Sequence, residues 1–282
     1  MMKRQRFRFI LNCNPAFFNK AVTAHCRMTP STFSLAARIF VALGVLVEPS
    51  STLPAGLGAV AGKTSAVKEP APNTGTIEGV VRYRADPKRP WRFSRYYVKN
   101  AGAGALAEAV VALEGSTLAA SAPPYAPQSR AMDQVNFQFV PETTAIRAGD
   151  SVHITNSDDA LHNVMTMDGD KPFNRNVVKG KEFKQTFDRA GGLNEPIRLS
   201  CAFHGAMRAW IYVFDHPWFK VTERDGEFRF ENVPTGEYTL EAIHPAGKMR
   251  RSLRVEVKPN GTTPVELILS PDDLIGSQEK AR

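Results

Sequence analysis

The sequence between residues 75 and 270 is a succession of short β-rich runs separated by turn signals. Residues 75–84 and 108–114 open the series, and residues 207–214 are apolar at almost every position. A continuous apolar run of that length is typical of a strand covered on both faces. Asp225-Gly226, between two of the runs, is a strong hairpin signal. The pattern predicts an all-β fold of the sandwich class.

Three segments lead to more specific predictions. Residues 135–140 are expected to form one strand. Outside the N-terminal region, only residues 101–107 have a pattern that suggests a helix. Residues 118–128 hold three prolines and no periodicity, which predicts a connector between elements.

The N-terminus has the pattern of an export signal. Residues 33–47 are apolar apart from Arg38, basic residues precede them, and Ala59-Val60-Ala61 offers a small-residue cleavage site. The apolar run is shorter than the roughly 20 residues that a membrane span needs. We therefore expect residues 1–61 to be a leader, with Met28 as an alternative start. The mature chain would be periplasmic or extracellular without a membrane span, and a leader retained as an anchor is the alternative.

The net charge of +8 comes mostly from this leader. Removing residues 1–61 leaves 29 Lys and Arg against 27 Asp and Glu, so the remaining chain has no large basic field and we expect no nucleic-acid partner. Cys13 and Cys26 also lie in the leader, so cleavage would leave Cys201 alone. A single thiol in an oxidising compartment is expected to be either buried or occupied.

The residues that carry chemistry form a C-x2-H-x2-M motif of Cys201, His204 and Met207, with His162 upstream in the sequence LHNV. One thiolate, two imidazoles and one thioether suit copper in a trigonal site with a weak axial methionine. Zinc is the competing metal, but structural zinc sites rarely use methionine. Taken singly, each residue has an ordinary alternative: a buried thiol, a hydrogen-bonded histidine or a core methionine.

Together with the sequence HNV, this motif resembles the cupredoxin family of blue copper proteins, and its loop length is most similar to amicyanin. The preceding sequence is similar as well, in Phe139-Val140-Pro141, in residues 147–152 and in residues 155–158. The resemblance covers residues 132–215 and implies one type 1 copper per chain. It implies the following ligands: His162 and His204 through nitrogen, Cys201 as thiolate and Met207 as axial ligand. It also implies that the backbone N–H of Asn163 donates to the Cys201 sulfur and tunes the reduction potential.

The flanking segments resemble a second family. Residues 76–84 and 109–115 are similar to the opening of a carboxypeptidase-regulatory-like, or transthyretin-like, β-sandwich, and residues 220–245 to its closing half. The combination resembles bacterial plastocyanin-like or methylamine-utilisation proteins, and the two resemblances together imply an all-β fold of two Greek-key-type β-sandwiches. The resemblance implies this domain plan: leader 1–61, linker 62–74, first part of the regulatory-like sandwich 75–120, cupredoxin domain 128–215, second part of that sandwich 216–270 and tail 271–282.

These features favour one-electron transfer over an enzyme. The loop from Cys201 to Met207, here called the ligand loop, holds a single cysteine, the chain has no H-x-H pair, and no nucleophile elbow is present. A redox protein is the expected partner, and the sequence carries no signal for an oligomeric state. A copper carrier or sensor, and a structural surface module with an empty site, are the alternatives. His153 is expected to face solvent on a strand, and His216 and His244 to have structural roles.

We predict that protein isolated from intact cells has been cleaved near Ala61, because the apolar run and the small residues at 59–61 meet the requirements of a signal peptidase site. N-terminal sequencing measures this directly. A mature protein that still carries Cys13 would contradict the prediction.

Overall fold

The computed structural model describes residues 73–100, without the side chain of Asn100, and residues 102–275. The predicted leader with Cys13, Cys26 and Met28 lies outside the described residues. So do the predicted linker up to residue 72 and the predicted tail beyond residue 275.

The elements follow one another in three groups. The first contains β1 (Thr74–Tyr83), α1 (Ser94–Tyr97), β2 (Val98–Asn100), β3 (Ala105–Leu106), β4 (Val110–Glu114) and α2 (Leu118–Ser121). The second contains β5 (Ser129–Val135), β6 (Gln138–Val140), β7 (Thr143–Arg147), β8 (Ser151–Asn156), β9 (His162–Thr166), β10 (Phe173–Val177), β11 (Glu182–Thr186), β12 (Ile197–Ser200) and β13 (Arg208–Phe214). The third contains β14 (Phe219–Val221), β15 (Glu227–Pro234), β16 (Gly236–His244), β17 (Met249–Val257), β18 (Thr262–Leu269) and a 3-10 turn at Pro271–Asp273. The predicted all-β fold is confirmed.

The strands form four sheets. Sheet 1 has the order β15-β1-β3-β2 with β18 also beside β1, and sheet 2 the order β14-β4-β16-β17. Sheet 3 has the order β10-β9-β12-β13-β7, and sheet 4 the order β11-β8-β5-β6. β1 pairs antiparallel with β15 and parallel with β18, so the first and third groups of elements share sheets 1 and 2. The second group alone forms sheets 3 and 4. The domain bounds implied by the resemblance stay a prediction.

The sheets stack in the order 1, 2, 3, 4, and an apolar core lies between each two successive sheets. Successive strand residues point to opposite faces. On β4, Val111 and Leu113 therefore enter the core between sheets 1 and 2, whereas Val110 and Ala112 face β13. On β13, alternate residues fill the core between sheets 3 and 4. Tyr212, on the opposite face of β13, packs with Val110 and Ala112 in the core between sheets 2 and 3. The apolar run at 207–214 is thus a strand buried on both faces.

Two local predictions were wrong. Residues 135–140 are not one strand but a hairpin, in which β5 turns into β6 through Asn136 and Phe137 at φ 54° and 58°. Two consecutive left-handed residues make a type I′ turn, which glycine or asparagine usually signals, and here the second position is Phe. Residues 101–107 contain no described helix, because Ala105–Leu106 forms β3 against β1 and β2. The predicted connector begins with the single turn α2.

His244, at the end of β16, is fully buried between sheets 1 and 2. Its ring contacts those of Trp91 and Tyr97 at centroid distances of 5.0 and 4.4 Å. Its Nδ1 accepts a hydrogen bond of 2.9 Å from the N–H of Gly247. Burial lowers the pKa of His244 from 6.5 to about 3. The imidazole is therefore neutral in the folded protein at any physiological pH.

We predict that this histidine makes stability fall with acidity. Below pH 6.5 the unfolded chain protonates His244 while the folded chain does not, so stability that is present above pH 6.5 is lost towards pH 3. The loss from this one group is about 1.4 kcal/mol per pH unit. His244→Asn keeps an acceptor for the Gly247 N–H and has no such titration. Urea unfolding of both metal-free proteins at pH 7, 6 and 5 should show that the difference between their free energies of unfolding shrinks as the pH falls. A difference that stays constant would refute the prediction.

Candidate metal site

β9 and the loop after β12 bring three predicted ligands together. His162 is the first residue of β9, and Cys201 directly follows the last residue of β12. β9 and β12 are antiparallel neighbours that pair at Met165 and Ser200, so the start of β9 lies beside the end of β12. His204 follows in the loop that runs on to β13. One end of sheet 3 therefore supplies all three side chains.

The donor atoms of these side chains converge. Nδ1 of His162 lies 3.1 Å from Nδ1 of His204, and the latter lies 3.6 Å from Sγ of Cys201. Within the described ranges this is the one group of three or more His, Cys, Asp or Glu side chains placed to hold a metal ion. His162 and Cys201 are buried and His204 is partly exposed. The sulfur and one ring nitrogen from each histidine all lie within 4.8 Å of one another.

Met207 closes the ligand loop. Its N–H donates to the carbonyl of His204 over 2.9 Å, and its carbonyl accepts from the N–H of Cys201 over 3.3 Å. Its side chain is buried in the core between sheets 3 and 4, to which Cys201 also contributes. The backbone thus folds the loop onto itself from its first residue to its last. The role of the Met207 thioether as a ligand stays a prediction.

Asn163 ties the ligand loop to the neighbouring strands. Its backbone N–H lies 3.3 Å from Sγ of Cys201, and its side-chain oxygen accepts from the N–H of Ala202 at 3.3 Å. Its side-chain nitrogen donates to Oδ1 of Asn174 and Oδ1 of Asn176 on β10, at 2.5 and 3.0 Å. One buried asparagine therefore holds β9, β10 and the loop together.

Asp158 is a contact of the site that the sequence prediction missed. Its Oδ2 lies 2.7 Å from Nε2 of His162. Desolvation opposes its ionisation, but hydrogen bonds from the N–H of Phe137, from His162 and from the N–H of Asn136 hold the pKa of Asp158 below its usual value. When the carboxylate accepts a hydrogen bond from Nε2–H, the other ring nitrogen, Nδ1, keeps its lone pair. That nitrogen is the one that lies with the Cys201 and His204 donor atoms. An acidic residue four positions before the histidine was the available signal.

The other described histidines lie away from this group. His153 is half exposed on β8 and pairs with Glu182 on β11 at 3.0 Å. His216 is buried, and its Nδ1 accepts from the N–H of Trp218. His244 is enclosed between sheets 1 and 2. Within residues 73–100 and 102–275, no helix is long and apolar enough to cross a membrane.

Comparison with family models gives one match, to the domain described as "ER membrane protein complex subunit 7, beta-sandwich domain", over residues 207–271. That range spans less than a quarter of the chain and runs from the end of the ligand loop through β13 to β18. Comparison with curated proteins gives no match.

Several solved structures resemble parts of the chain. A purple cupredoxin from Nitrosopumilus maritimus shares 22% identity at TM-score 0.26, covering 30% of this chain and 98% of its own. A Cu(I) form of an amicyanin variant shares 18% identity at TM-score 0.27, covering 36% and 97%. A copper-containing nitrite reductase from Thermus scotoductus SA-01 shares 21% identity at TM-score 0.28, covering 47% and 28%. Each of these likenesses covers less than half of this chain.

We predict that Asn163→Ala destabilises the metal-free protein by about 2 kcal/mol, because it removes several hydrogen bonds of a buried side chain. The N–H that faces the Cys201 sulfur survives the substitution, so the predicted metal ligands should stay in place. Asn174→Ala is the matched control, since it removes one exposed partner of the same network and should cost less than about 1 kcal/mol. Urea unfolding measures both, and equal losses would contradict the linking role of Asn163.

Proposed function

We propose that the mature chain is an exported type 1 copper protein that transfers single electrons. One copper ion per chain would be held by four ligands: His162, Cys201, His204 and Met207. The observation that carries the proposal is the convergence of Sγ and two Nδ1 atoms at one end of sheet 3, with the nitrogens 3.1 Å apart.

The side chains fit copper better than zinc. A buried thiolate, two imidazoles and a buried thioether in one short loop are the donors of a blue copper site. A structural zinc site would complete four-coordination with a further cysteine, histidine or carboxylate. Across the described part of the chain no such fourth group joins His162, Cys201 and His204. Asp158, the nearby carboxylate, is instead held against the far nitrogen of His162.

The protein contributes orientation and electrostatics to this function. A bound copper ion would supply the Cu(II)/Cu(I) couple. The N–H of Asn163 would lower the electron density on the Cys201 sulfur, which tunes the reduction potential. The carboxylate of Asp158 fixes the ring of His162, and sheet packing fixes the ends of the loop. Ligands held in place in this way need little movement when the charge on the metal changes.

The proposal includes no catalysed reaction. Four protein ligands leave a type 1 site without an open position for substrate. Of the three converging side chains, His204 alone is partly exposed, so a redox protein would approach the site at its ring. A carrier or sensor would use the same ligands without reversible electron exchange, and cyclic voltammetry of the copper-loaded protein separates the two functions.

We predict a graded response to substitution of the four ligands. Cys201→Ser should abolish the intense visible absorption, because that absorption needs the copper–sulfur bond. His162→Ala and His204→Ala should weaken copper retention, since each removes a strong ligand. Met207→Leu should keep copper and colour but raise the reduction potential, because a weak donor that favours Cu(II) is lost. Copper analysis, absorption spectra and voltammetry measure these effects.

Substitutions of the other histidines provide the controls. Spectra of His153→Ala, His216→Ala and His244→Ala should match that of the unmodified protein, because those side chains lie outside the converging group. Colour that persists in Cys201→Ser, or that depends on His216 or His244, would overturn the ligand assignment.

A further inference from the structure

Phe137 covers the two imidazoles that face the metal position. Its ring meets the ring of His162 at a centroid distance of 5.4 Å and an interplanar angle of 89°. It meets the ring of His204 at 4.9 Å and 85°. The two imidazoles lie 4.9 Å apart and are themselves close to perpendicular. Phe137 is 51% exposed, so one side of its ring contacts both imidazoles while the other side meets solvent.

The position of this ring is unfavourable for the fold by itself. Phe137 has φ 58°, in the left-handed region that bulky residues rarely adopt. It also leaves half of a large apolar side chain in water. Strained conformations of this kind persist where surrounding contacts enforce them, and they cluster at functional sites. A glycine would form the same turn without either cost, but it would leave both imidazoles uncovered.

Asp158 enforces the strained turn. Its Oδ1 accepts from the N–H of Asn136 at 2.7 Å, and its Oδ2 accepts from the N–H of Phe137 at 2.9 Å. The same Oδ2 lies 2.7 Å from Nε2 of His162. A single carboxylate therefore sets the backbone that carries the phenyl ring and the imidazole that the ring covers.

We propose that Phe137, positioned by Asp158, is a lid that keeps small ligands such as azide, imidazole and water away from the metal position. The phenyl ring has no donor atom, so it closes the approach along the two imidazoles without competing for the metal. The proposal rests on the proposed copper function where the metal is concerned. The shielding of the His204 ring, however, is a property of the metal-free chain and can be tested there.

Two substitutions of Phe137 separate the effect of its phenyl ring from the effect of its strained backbone conformation. Phe137→Ala removes the ring and keeps a side chain in the left-handed conformation, whereas Phe137→Gly removes both the ring and the strain. Phe203→Ala is the matched control, because Phe203 lies in the ligand loop and is 52% exposed. Among the ring contacts of the described residues, Phe203 meets neither imidazole.

The first measurement uses metal-free protein. The rate at which diethyl pyrocarbonate modifies His204, located by mass spectrometry, should rise about tenfold in Phe137→Ala, the scale expected when two ring contacts are lost. It should rise equally in Asp158→Ala, where the ring remains but its turn is released. Phe203→Ala should react like the unmodified protein. The thermal midpoint of Phe137→Gly should exceed that of Phe137→Ala, because glycine relieves the strained φ.

The second measurement titrates azide into the Cu(II)-loaded proteins and follows the absorption spectrum. Azide affinity should again rise about tenfold in Phe137→Ala and Phe137→Gly and stay unchanged in Phe203→Ala. Unchanged His204 reactivity and azide affinity in Phe137→Ala, or equal gains in Phe203→Ala, would overturn the lid. Failure of the unmodified protein to give a copper–thiolate spectrum would overturn the copper function instead, and the modification rates would still decide on the lid.

Discussion

Burial of both faces of β13 is the constraint on which the rest of the structure depends. One face completes the core between sheets 3 and 4, and the other packs Tyr212 and Phe214 against sheet 2. The two pairs of sheets are therefore joined through this strand. The ligand loop ends where β13 begins, at Arg208, so its last residue is anchored to a strand without a free face. A loop held in this way can present a fixed set of donor atoms.

The candidate metal site extends this rigidity to single side chains. Asn163 links β9, β10 and the loop through a buried amide, and Asp158 links the ring of His162 to the turn between β5 and β6. Asn163 bonds two segments that are distant from it in the sequence, and Asp158 bonds one, the turn at Asn136 and Phe137. The ligand nitrogens and sulfur are thereby held close together by the protein itself. Donor atoms arranged in this way would suit the proposed copper couple, whose two oxidation states prefer different geometries.

The sequence predicts those parts that depend on local pattern. Alternating and continuous apolar runs identify the β fold, and the ligand spacing between two runs brings Cys201 and His204 into one loop. Contacts between segments that are distant in the sequence cannot be predicted in this way. Phe137, for example, reaches both imidazoles only because a hairpin without glycine places it there. The sequence also fails to predict β10, because its residues FNRNV show no apolar alternation. The strand lies at the edge of sheet 3, where most of its side chains are exposed. The hydrogen bonds from the turn at Asn136 and Phe137 to Asp158 cannot be predicted from the sequence either, because they depend on where the same hairpin lies.

The visible absorption and electron paramagnetic resonance spectra of the copper-loaded mature protein test the central claim most directly. A copper ion held by the Cys201 thiolate and two imidazoles should give an intense sulfur-to-copper charge-transfer band. The resonance spectrum should show the narrow hyperfine splitting of a covalent copper–sulfur bond. A pale protein with the wide splitting of a tetragonal nitrogen and oxygen site, or a protein that fails to retain copper, would contradict the account.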